Sequence, residues 1–142
     1  MTNNVNHIWY HFVWTTRYRQ PMIKPVWKND LLQQIISRAA EEGILVTAAN
    51  AMVDHVHLLV RVPPVLSPAK VANILKGESS NWLNQMGMTS QIFHWQSGFS
   101  VFSISYTHLT RVRRFILDQQ RRHDFTDLAT ELRYLREMAH PC

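Results

Sequence analysis

Apolar and polar residues change their spacing several times along the chain, and each change marks an expected element. The segment HIWYHFVWTT (7–16) is aromatic and β-branched and predicts a first strand, ended by the polar, proline-containing RYRQP. From Val26 to Glu42, Leu31, Leu32, Ile35, Ile36, Ala39 and Ala40 recur at helical spacing, and Gly43 stands where a helix is usually stopped. ILVTAANAMV and HVHLLVRV then form two short apolar runs joined near Asp54, the pattern of an antiparallel strand pair. PPVLSP closes them. Ser67 and Pro68 read as a cap and a first-turn proline, opening a helix that buries Val71, Ile74, Leu75, Trp82, Leu83 and Met86. FSVFSIS (99–105) alternates and predicts another strand. Residues 108–122 carry the stripe Leu109, Val112, Phe115 and Ile116, and a last helix is expected from about Thr126 to Met138.

The order strand, helix, strand, strand, helix, strand, helix, helix predicts an α+β fold. Its expected form is an antiparallel sheet with helices packed on one face, in the layout of ferredoxin or RNA-recognition domains. At 142 residues, with no repeat, low-complexity segment or Gly/Ser-rich linker, residues 1–142 are expected to form a single domain. No apolar run reaches membrane-spanning length, so no membrane partner is expected. The first residues lack the pattern of a secretory signal, and a cytoplasmic protein is expected. The only cysteine, Cys142, excludes an internal disulfide and a thiolate metal cluster within one chain. Any metal must be held by histidine, carboxylate or amide.

The formal net charge of +5 suits a polyanionic partner, because neutralising phosphates releases counterions. Charge alone does not separate nucleic-acid binders from other basic proteins. A more specific feature is DHVHLLV (54–60), where His55 and His57 project from one face of an expected strand and Val56 and Leu58 from the other. Two imidazoles so placed can share one cation. They can equally be structural, hydrogen-bonded histidines.

Five separated stretches, in order, resemble one family: HFVWTTRYRQP, DHVHLLV, LKGESS, FHWQSGFSVFSIS and FILDQQRRH, which cover most of the chain from His11 to His123. Together they resemble the single-tyrosine transposases of the HUH type, insertion-sequence enzymes related to the repetitive-palindrome-associated tyrosine transposases. The resemblance implies a homodimer acting on single-stranded DNA hairpins at the ends of a mobile element. It also implies that His55, His57 and Gln119 hold one divalent cation, Mg2+ or Mn2+. A tyrosine four residues before that glutamine would attack phosphorus and become joined to the 5′ end. Mg2+ prefers oxygen ligands, so a two-imidazole site should accept Mn2+ at least as readily.

Here the sequence departs from the family pattern. The position four before Gln119 is Phe115, which keeps the ring and lacks the hydroxyl, so binding without cleavage is expected. Phe115 also continues an apolar stripe and reads as core. Tyr106 is an alternative nucleophile, with Tyr10, Tyr18 and Tyr134 behind it. Arg17 and Arg19 flank Tyr18 in a cluster suited to phosphate contact and base stacking, or to a solvated loop. Lys76, Ser79 and Ser80 are candidate phosphate contacts beside Gly77, whose helical position suggests close approach of a backbone or a nucleic acid. Arg121 and Arg122, with Arg111, Arg113 and Arg114, make the region around the candidate catalytic helix the most basic part of the chain. Trp95 is a possible stacking platform. The rival readings are a non-catalytic binder of structured nucleic acid with this fold, and a metal-dependent hydrolase that activates water.

Overall fold

The computed structural model describes residues 5–119 together with residues 132, 133, 135 and 136. Strand β1 (Trp9–Thr15) is followed by helix α1 (Pro25–Glu41), strands β2 (Leu45–Ala51) and β3 (His55–Arg61), helix α2 (Pro68–Gln85), strand β4 (Ser100–Ile104) and helix α3 (Leu109–Leu117). Gly43, at φ +75, ends the turn after α1, where the Ile44 amide donates to the Ala39 carbonyl at 2.9 Å. Ser67 caps α2 by accepting from the Lys70 amide, with proline in the first turn. No helix among the described residues is long and apolar enough to cross a membrane.

The strands form one antiparallel sheet in the order β2-β3-β1-β4, so the first strand of the chain lies inside it. The expected α+β antiparallel class is what the chain adopts. One face carries Phe12, Trp14, Val56, Leu58 and Val60, packed against α1 and α2 through Leu31, Ile35, Ala39, Val71, Ala72 and Leu75. The other face differs from the expectation that all helices share one side. There Val13, Ala48 and Leu59 pack against Val112, Phe115 and Ile116 of α3 and against Leu135. The reason lies in β3, which is buried at every position from His55 to Val60 and therefore needs cover on both faces. Of the last expected helix, only Leu132, Arg133, Leu135 and Arg136 are described, and they are helical; the rest lies outside the described residues.

Two polar ties seat α3 on the sheet. The register of β2 against β3 shifts between Val46 and Ala48, and the Thr47 carbonyl at that irregularity accepts from Arg113 Nε at 3.3 Å. Near the other end of the helix, Asn50 Nδ2 donates to the Ile116 carbonyl at 3.0 Å. Leu58, with no exposed surface, sits on the α1–α2 side, away from these ties. Truncation by Leu58→Ala is expected to lower stability in urea unfolding by about 2–5 kcal/mol, and Ser67→Ala by about 1 kcal/mol.

Candidate metal centre and nucleic-acid interface

Pairing register decides where the histidines point. His57 lies opposite Val13 and His55 opposite Thr15, so both rings occupy the sheet face beneath α3. Their centroids are 5.0 Å apart, and neither ring has exposed surface. Asp54 immediately precedes the strand and its carboxylate oxygen Oδ1 accepts from His55 Nδ1 at 2.7 Å. The same residue is anchored through its carbonyl, which accepts from the Thr16 amide at 2.8 Å. Its second carboxylate oxygen lies 3.6 Å from Arg19 Nε.

The structure adds a third imidazole that sequence reasoning missed. His11 of β1 is fully buried, and its Nε2 lies 2.9 Å from His57 Nδ1. The signal was its parity: His11 and Val13 share a strand face, but only pairing with β3 brings that face to the His55–His57 pair. Phe102 and Phe115 flank the His11 ring at centroid distances of 6.0 and 6.3 Å. Burial holds the His11 pKa well below the usual imidazole value, with the neighbouring His57 acting in the same direction.

Phe115 packs edge-on against His57, with centroids 6.1 Å apart and an interplanar angle of 77°. At 3% exposure it is also part of the layer formed with Val112 and Ile116, the core place that its apolar stripe predicts. Gln119 follows one turn later, fully buried, with Nε2 donating to the Phe115 carbonyl at 3.0 Å. Its Oε1 has no hydrogen-bond partner among the described residues, an expensive state for a buried carbonyl. Among those residues no group of three or more His, Cys, Asp or Glu side chains is arranged for a metal. The candidate set is of a different kind, two imidazoles and an amide. An open acceptor on Gln119 and Nδ1 partners on both histidines are compatible with a cation in this layer.

Other expected residues divide into surface and core. Arg17 and Arg19 are exposed, and Tyr18 between them keeps 72% of its surface. Lys76, by contrast, donates to the Gln96 and Gly98 carbonyls at 2.8 and 2.7 Å, and partial burial lowers its pKa. Ser79 has no exposed surface and its hydroxyl accepts from Trp95 Nε1 at 2.9 Å, which removes it from contact with a surface phosphate. Ser80 donates to the Gly77 carbonyl. Trp95 stacks edge-on with Phe93 and Trp14, so it belongs to the core margin rather than to a stacking platform. A Cβ on Gly77 would meet nothing within 4 Å, so no backbone approach accounts for that glycine. Arg111, Arg113 and Arg114 are exposed along α3, while Arg121, Arg122 and Tyr134 lie outside the described residues. Tyr106 is exposed and stacks on His7.

Comparison with known proteins follows the same outline. The family model described as "Transposase IS200 like" matches residues 4–119. The ISDra2 transposase TnpA of Deinococcus radiodurans is 23% identical over 115 residues, covering 78% of this chain and 82% of that protein. A crystal structure of a transposase-like protein from Deinococcus radiodurans R1 superposes with a TM-score of 0.68 at 22% identity, covering 84% of this chain and 95% of that one. A REP-associated tyrosine transposase bound to a REP hairpin superposes with a TM-score of 0.63 at 14% identity, covering 89% and 76%. At these identities the two structures are similar to this chain in fold.

The Tyr18 loop is held against its own backbone preference. Tyr18 and Arg19 have φ of 56° and 54°, a left-handed conformation that disfavours both side chains, and the Tyr18 amide is pinned to Gln96 Oε1 at 2.9 Å. Since Tyr18 packs little of its ring, Tyr18→Gly is expected to raise stability by up to about 1 kcal/mol, measured by thermal unfolding without nucleic acid.

Proposed function

The chain belongs to the IS200-like transposase family, and from that premise we propose that it is an HUH-type protein that binds single-stranded hairpin DNA as a homodimer, with a cation site at His55, His57 and Gln119. The observation that carries this reading is the buried His55–His57 pair lying against Phe115, on the helix turn that precedes Gln119. A bound Mg2+ or Mn2+ would supply positive charge to polarise a scissile phosphate and steady a departing 3′ oxygen.

The chain's own residues define the rest. Asp54 orients the His55 ring, and α3 presents position 115 to the His57 ring. That position is where the family resemblance puts the attacking tyrosine. Phe115 offers no oxygen to bond to phosphorus, so no 5′-phosphotyrosine forms and the chain binds without cutting. Both histidines and Gln119 are fully buried beneath the layer that contains α3. Arg17, Arg19 and Tyr18 form the exposed surface best suited to DNA backbone and bases, and the arginines of α3 extend the positive charge. Lys76 holds the backbone of Gln96 and Gly98, and Ser80 bonds to the Gly77 carbonyl of its own helix.

A second reading, a non-catalytic binder of structured nucleic acid, is favoured by the burial of Phe115 as ordinary core. One variant separates the two. Phe115→Tyr, incubated with hairpin DNA and Mg2+ or Mn2+, is expected to give a covalent adduct seen as a slower protein band, lost again when His57→Ala is added. The unaltered chain should retard the same hairpin without an adduct. If Phe115→Tyr forms none with any tightly bound hairpin, the nucleophile position is wrong and the binding-only reading stands. Release of free 5′ phosphates by the unaltered chain would instead indicate hydrolysis by activated water.

A further inference from the structure

We propose that His11 is a positioning residue for the cation site: it accepts the Nδ1–H of His57 and so makes Nε2 the coordinating atom of that ring. The inference rests on the metal reading given above. A neutral imidazole carries one N–H, and a ring that coordinates through Nε2 must carry it on Nδ1. His57 is fully buried, so that N–H needs an acceptor inside the protein. His11 Nε2 lies at 2.9 Å. With the opposite arrangement, His11 donating, the His57 proton would sit on Nε2 and block coordination there.

His55 meets the same requirement through Asp54, an acceptor next to it in sequence. His57 has a hydrophobic neighbour on each side, Val56 and Leu58, and takes its acceptor from across the sheet. Position 11 is one where an apolar side chain would pack at lower cost, since it faces Leu59 in one neighbouring strand and Phe102 in the other. The flanking Phe102 and Phe115 rings hold the imidazole in place. The His11 Nδ1 atom has no hydrogen-bond partner among the described residues, so the hydrogen bond to His57 is its one polar connection among them. That one connection is directed at a candidate ligand, at the cost of a buried His11 Nδ1–H left without a partner among the described residues.

The test uses the full chain and two substitutions at one position. His11→Phe keeps the ring shape and removes the acceptor, while His11→Gln places a carbonyl oxygen near the former Nε2. Mn2+ affinity, followed by calorimetry and by the signal of free Mn2+ in electron paramagnetic resonance, is expected to fall about 10–100-fold in His11→Phe and to recover most of that loss in His11→Gln. In 15N spectra of the Mg2+-loaded, unaltered chain, His57 Nδ1 should be the protonated nitrogen. Thermal unfolding of each metal-free variant establishes that it is folded. Affinity of His11→Phe equal to that of the unaltered chain, or equal loss in two folded variants, overturns the positioning role. If His11→Phe does not fold, His11→Ala takes its place, and Mn2+ affinity equal to that of the unaltered chain in that folded variant overturns the proposal, as does protonation of His57 at Nε2 in the unaltered chain. Absence of Mn2+ binding by the unaltered chain refutes the cation site and the proposal together, whereas binding by that chain with no effect at position 11 refutes the proposal alone.

Discussion

Three imidazoles, from His11, His55 and His57, lie side by side on one sheet face without any exposed surface, and the need to satisfy their nitrogens shapes everything around them. An acid at the start of β3 serves one ring and a histidine from β1 serves another, so the antiparallel pairing of these two strands sets both the core and the site's polar connections. A shift of one residue in that pairing would turn the rings into the opposite layer, among Phe12, Trp14 and Leu58. The register is protected by the strands' apolar residues as well as by the imidazoles.

The cover over that face determines what chemistry is open to it. Phe115 lies between roles, an apolar residue in the layer with Val112 and Ile116 and a ring in contact with His57. Gln119 adds a buried carbonyl whose acceptor capacity the described residues leave unused. Asn50 and Arg113 hold this helix on the edge-side strand through backbone carbonyls, so positions 115 and 119 are placed by ties to β2 as well as by their apolar neighbours.

At the start of β3, beside His55, charge is organised by backbone rather than by helix faces. The Arg17–Arg19 turn follows β1 directly, and its left-handed residues are held by Gln96, whose own carbonyl is held by Lys76. Asp54 joins this turn to the buried face, since one carboxylate oxygen serves His55 and the other approaches Arg19. The exposed contact with Arg19 adds little to stability. Its importance is positional, because it puts a basic surface next to the histidine pair.

Much of this was legible in the order of residues. Helical periods located α1 and α2 and a short apolar run located β3, because each has an apolar pattern strong enough to be decided locally, and Ser67–Pro68 and Gly43 marked boundaries through backbone chemistry that needs no partner. The shared face of His55 and His57 likewise follows from strand alternation alone. Less was legible where distant segments meet. Ser79 and Trp95 looked like surface candidates until their mutual hydrogen bond placed them in or beside the core. His11 is a histidine in an aromatic strand until β1 pairs with β3, and α3, expected on the same face as the other helices, takes the opposite one because β3 is buried on both sides. Sequence by itself determined the periodicities, the caps and the residue types available for chemistry, because those depend on neighbours a few positions away. Tertiary structure alone decided which acceptor meets which imidazole and which helix covers them, because a hydrogen bond between positions 11 and 57 exists only after the sheet has assembled.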